Sequence, residues 1–141
     1  MAYTEHKEGS DIYYNIFPET RTVKARIDTR NMLDDVANVL NKRGILCPQQ
    51  EFKKIIDRMP HTLWGKAVCH PDDEWDVERG KEIARARLLR KYYKYRLEMF
   101  RCVADYIDKS LTYCEDYMNF SWLSYNKFNN IIKNSQKFDE N

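Results

Sequence analysis

The stretch Asp76-Val77-Glu78-Arg79-Gly80-Lys81-Glu82-Ile83-Ala84-Arg85-Ala86-Arg87-Leu88-Leu89-Arg90-Lys91-Tyr92-Tyr93-Lys94-Tyr95-Arg96 decides the fold. It holds no Pro, and its single Gly lies in the first turns. Nothing therefore stops a helix from running from Asp76 to about Lys109. Apolar residues return from Ile83 in alternating steps of three and four. The row is Ile83, Ala86, Tyr93, Leu97, Phe100, Ala104, Ile107, Leu111, Cys114, Met118, Tyr125, Phe128 and Ile132, broken only by Arg90 and Ser121. A second row, Leu88, Tyr92, Tyr95, Met99, Val103 and Tyr106, widens the apolar side. A single helix of that length would span roughly 75 Å, too long for a compact domain of this size. The pattern thus predicts two helices, bent near Asp108-Lys109-Ser110 or Asn119-Phe120-Ser121, the second returning as a helical hairpin. One side of the long helix is expected to pack on a sheet and another on the returning helix.

Upstream, Ile12-Tyr13-Tyr14-Asn15-Ile16-Phe17 is β-branched and aromatic, and Pro18-Glu19-Thr20 turns the chain. Thr22 to Ile27 alternates apolar with charged residues, so Val23, Ala25 and Ile27 face inward on a paired strand. Asp28 or Thr29 caps a helix carrying Met32, Leu33, Val36, Ala37, Val39 and Leu40, which Gly44 ends. Pro48 opens and Pro60 closes a shorter helix with Phe52, Ile55, Ile56 and Met59 on one face. Leu63 to Cys69 forms a third strand, because a two-stranded ribbon alone is marginal. His70-Pro71-Asp72-Asp73 then turns into the long helix, with Asp73 or Asp76 as its cap. The expected architecture is α+β in one domain: a three-stranded antiparallel sheet and two short helices over 11–69, and a long helical part over 73–133. Residues 1–10 and 134–141 are expected to be loose.

At 141 residues the chain is long enough for one real core. Its net charge of +2 names no polyanionic partner, but the charge is unevenly placed. Residues 79–101 carry nine Lys or Arg against Glu82 and Glu98, just after the acidic group Asp72, Asp73, Glu74, Asp76 and Glu78. No apolar run approaches 18 residues, so no membrane span or membrane partner is expected. The N-terminus lacks the apolar core of a signal peptide, and the four Cys are expected to be reduced in a cytoplasm.

The basic side of the long helix is the first candidate site. Arg79, Arg85, Arg87, Lys91 and Lys94 lie on successive turns with Tyr92 and Tyr95 between them, a composition able to grip phosphates and bases or an acidic protein surface. The alternative is a solvated face paired with its own carboxylates. Asp72, Asp73 and Glu74 form an acidic surface able to imitate phosphates, or simply to complement the helix dipole. Cys47, His61, Cys69 and His70 are the one set to weigh for zinc, and they lack the paired close spacing of a structural site. No metal and no cofactor is expected. Without a Gly-rich phosphate loop or nucleophile elbow, the chain is not expected to be an enzyme.

Gly65-Lys66-Ala67-Val68-Cys69-His70-Pro71-Asp72-Asp73-Glu74-Trp75-Asp76, followed by Gly80, Ile83-Ala84 and Arg87, resembles a strand, turn and helix start found in small uncharacterised proteins of bacteriophages and prophages. The resemblance covers about 25 residues and carries over no catalytic residue. It implies a phage setting, in the cytoplasm of an infected bacterium. By analogy with small phage inhibitors, anti-CRISPR proteins among them, the leading expectation is a non-enzymatic binding protein. It would block a host protein or ribonucleoprotein complex, such as a CRISPR effector, through its charged helix surface. Direct nucleic-acid binding by the basic helix 79–101 is the alternative. A structural homodimer through the long apolar repeat is a further one.

Overall fold

The computed structural model describes residues 1–46 and 48–135. The elements are β1 (Tyr3–His6), β2 (Tyr13–Phe17), β3 (Thr22–Asp28), α1 (Arg30–Lys42), α2 (Gln49–Arg58), β4 (Thr62–Val68) and α3 (Val77–Asn134). The fold is α+β, as the sequence predicts. The sheet has four antiparallel strands in the order β1-β2-β3-β4, one more than expected. The extra strand is β1, in a segment expected to be loose. It pairs Tyr3 with Ile16 and His6 with Tyr13. Lys81 of α3 holds it from the side by an ion pair to Glu5, and the His6 ring stacks on Tyr13 at 3.9 Å. Single-sequence periodicity could not show the Lys81 contact, since its partner lies 76 positions away, and the polar loop between His6 and Tyr13 hides their pairing.

β2 and β3 join through a 3₁₀ turn at Pro18–Thr20, and Arg21 reverses the chain at φ +49°. Register places Ile16 opposite Val23 and Ala25 opposite Gly65. Ile16, Val23, Ala25, Ile27, Leu63 and Ala67 are buried together with Met32, Val36 and Leu40 of α1 and Phe52, Ile55 and Met59 around α2. At the start of α1 the Arg30 guanidinium pairs with Asp28 at 2.9 Å and the Arg30 amide donates to it at 2.9 Å, and together they hold its carboxyl below the usual value. The left-handed Gly44 (φ +66°) closes α1.

α3 joins this core by an unusually close approach. A Cβ at Gly65 would overlap the Ala84 carbonyl oxygen and stand 2.5 Å from the Leu88 amide nitrogen. Gly80 repeats the device: a Cβ there would lie 2.9 Å from a methyl of Val23. The helix backbone therefore rests directly on the sheet, and Ala84, Leu88, Met99 and Val103 complete the core.

The expectation of a returning helix is corrected. It neither bends at 108–110 or 119–121 nor returns as a hairpin: α3 is a single 58-residue element. Neither site contains a Pro or Gly to break it. The core side of α3 draws mainly on the second row: Leu88, Tyr92, Tyr95, Met99 and Val103 face the core, joined by Ile83 and Phe100 of the first, whereas Ala86, Arg90, Tyr93 and Leu97 are exposed. The chain divides into two compact units, Met1–Val103 and the part from Ala104 onward. In the second, α3 is the only element among the described residues. The polar tail at 136–141 lies outside the described residues.

Candidate functional site

The acidic turn before α3 is built around Arg21 and Cys69. Arg21 donates to the carbonyls of Pro71 and Asp73 at 3.3 and 2.9 Å, and its own carbonyl accepts the Cys69 amide at 2.8 Å. The Cys69 thiol sits among the carbonyls of His70, Asp73 and Glu74 at 3.5–3.8 Å. Its neighbours there accept hydrogen bonds, and His70 turns its Nδ1 to the Asp72 amide at 3.2 Å. This arrangement makes the thiol a donor that holds the turn. Asp76 accepts the Arg79 amide at 3.2 Å and is the helix cap. Asp72, Asp73 and Glu74 remain exposed. Among the described residues no three His, Cys, Asp or Glu side chains come together to hold a metal. Cys47, one of the four weighed for zinc, lies outside the described residues.

The basic side of α3 is largely engaged by the protein itself. Arg79 pairs with Glu82 at 3.5 Å, and Lys81 with Glu5 and Glu78. Arg96 pairs with Asp35 of α1 at 3.1 Å. Arg87 and Lys91, one turn apart, donate to the carbonyls of Lys66 and Trp64, each at 2.7 Å. β4 is an edge strand, so this pair covers acceptors that an open sheet edge would offer to another chain. Tyr92 and Tyr95, expected to be binding anchors, are half-buried against the core, and burial pushes the Tyr92 phenol up. Arg85, Arg90 and Lys94 are exposed and enter no ion pair or hydrogen bond among the described residues.

The more unusual surface lies further along. Ile107, Leu111, Met118, Tyr125, Phe128 and Ile132 are 45–69% exposed, and they continue the three-four row quoted above. The decapeptide Tyr117-Met118-Asn119-Phe120-Ser121-Trp122-Leu123-Ser124-Tyr125-Asn126 within it carries no charge. Monomeric proteins rarely leave a contiguous apolar face of this extent in water. The chain is not giving this face to a bilayer as a span, because no described helix is long and apolar enough to cross one. Sequence periodicity located the row but assigned it to the interior. Its two breaks, Arg90 and Ser121, and the small Ala86 and Ala104 were the available signal that the other row packs better.

No protein-family model, curated protein or solved structure matches the chain.

Proposed function

We propose that the protein is a non-enzymatic binding protein whose main docking face is the apolar row of α3 from Ile107 to Ile132. The single observation that supports this is the exposure of six large apolar side chains at heptad spacing around an uncharged decapeptide. The likeness of Gly65–Asp76 to phage segments supports an infected bacterium as the setting. In that setting the target class is a host nucleic-acid-handling complex, met through the charged helix surface of α3 and not through the apolar row, with a CRISPR effector as the example reached by analogy. Leu111→Glu with Met118→Glu tests the face. The double variant should weaken protein association about 100-fold or more, as charges buried against apolar partners do. It should leave the thermal transition of Met1–Val103 in place. Undiminished association would remove this reading.

A second reading, direct nucleic-acid binding, is favoured by Arg85, Arg90 and Lys94, three exposed cations of α3 that neither a carboxylate nor a backbone carbonyl engages among the described residues. Three phosphate contacts predict a log–log salt slope of about −2.7. A labelled duplex or single strand that is not retained at low salt would exclude it.

A further inference from the structure

We infer that a second copy of this chain covers the apolar row, in antiparallel register about a point between Met118 and Ser121. The inference rests on the reading of that row as a protein-docking face, and it names the occupant.

Side-chain size gives the first argument. In the row, the alternating steps define core layers of a two-helix pair. An antiparallel partner centred between 118 and 121 sets Ile107 against Ile132, Leu111 against Phe128, Cys114 against Tyr125 and Met118 against Ser121. Each small residue then meets a larger one, which is how dense interiors are filled. A parallel partner would set Cys114 on Cys114 and Ser121 on Ser121, leaving gaps, and would crowd Tyr125 against Tyr125.

Charge gives the second. Residues 104–116 hold four acids (Asp105, Asp108, Glu115, Asp116) and one Lys, whereas 117–134 hold Lys127 and Lys133 with no acid. Antiparallel pairing lays the acidic stretch of one copy beside the basic stretch of the other. Parallel pairing lays like beside like.

Area gives the third. Six large side chains at 45–69% exposure, with Tyr117 and Trp122 flanking them, leave about 700–1,200 Å² of side-chain surface, taking roughly 150–250 Å² for each when fully exposed. That matches the ~800 Å² per partner of a standard stable interface. A two-fold pairing also uses the same patch on both copies, so it closes without leaving a face to polymerise.

The test uses the full chain. Sedimentation equilibrium should give a dimer at micromolar concentration. Tyr125→Cys, oxidised mildly, should form a covalent dimer whose mapped bond joins Cys114 to the new thiol of the other copy. The unmodified chain should form no Cys114–Cys114 bond. Leu111→Glu with Met118→Glu should sediment as a monomer. A Cys114–Cys114 bond in the unmodified chain would overturn the antiparallel register. A monomer at about 100 µM would overturn the second copy altogether. If that monomer's row is held by another protein, released by the double Glu variant, the docking-face reading stands without this inference. If the double variant releases nothing, both fall.

Discussion

The two stretches of α3 have similar shares of large apolar residues and opposite fates. Val77 to Val103 carries twelve charged residues in 27 and buries Ala84, Leu88, Met99 and Val103. Ala104 to Asn134 carries seven in 31, yet Tyr117, Met118, Phe120 and Trp122 are all more than half exposed. The difference teaches that burial follows the presence of a complementary surface, and hydrophobicity alone does not supply one. The first stretch has a sheet shaped for it, down to two glycines where its backbone rests. The second has nothing of the kind among the described residues, and the proposed pairing with a second copy would supply it. This contrast can be broken or sharpened by substitution.

The largest effect is expected at Gly65. Gly65→Val places a branched side chain on the Ala84 carbonyl and the Leu88 amide, both helix backbone that cannot step aside. Overpacking against backbone should cost about 3 kcal/mol or more and detach α3 from the sheet. Urea unfolding of Met1–Val103 would read it, and a variant as stable as the parent would disprove the close approach. Next comes Leu88→Ala, a fully buried leucine, at about 2–5 kcal/mol. Its counterpart in the second stretch, Leu111→Ala, should change the unfolding of a dilute monomer by less than about 0.5 kcal/mol, as exposed substitutions do. Equal costs at 88 and 111 would erase the contrast on which the functional proposal stands.

Arg87→Ala and Lys91→Ala should each cost about 0.5–1 kcal/mol, because their hydrogen bonds to the β4 carbonyls are strong in geometry but open to water. Removing both should also expose the sheet edge. Self-association through that edge would persist in a Leu111→Glu background, which separates it from pairing through the row.

Much of this fold is legible in the sequence where local chemistry decides. Pro18, Gly44, Pro48 and Pro60 bound their elements, and the alternation over Thr22–Ile27 gives the inward face of β3. The acid at 76 caps α3. Legibility fails where the deciding contact is distant. β1 depends on Lys81, some 76 positions away from Glu5. The inward row of α3 depends on where Gly65 and Gly80 let the helix lie, and periodicity offers two rows without ranking them. The hairpin expectation assumed that a chain of this size folds into one compact domain, which a straight helix of that length would overrun. At the candidate site, Arg79, Arg85, Arg87, Lys91 and Lys94 were visible as a basic side. That Arg87 and Lys91 cover a strand edge requires the sheet order.

The smallest effect bears on the strand that sequence missed. Lys81 is 18% exposed and is held between Glu5 of β1 and Glu78 of its own helix. The hydrogen bond it donates to Glu5 raises its pKa above the ordinary 10.5 more than burial lowers it. A cation favoured by folding contributes its full stability below the unfolded value and loses it as pH rises through the folded one. Glu5→Gln should therefore cost about 0.5 kcal/mol at neutral pH, the scale of a pair whose carboxylate stays in contact with water. The cost should shrink toward zero as pH climbs past 10.5, where Lys81 gives up its proton in both chains. Amide hydrogen exchange in Tyr3–His6 compared with Thr22–Asp28 would localise the loss. Faster exchange confined to β1 at neutral pH, and no difference between variants at high pH, is the expected result. A cost that stays constant across that range would mean that β1 is held by its strand pairing with β2 alone, and that α3 takes no part in fixing this edge.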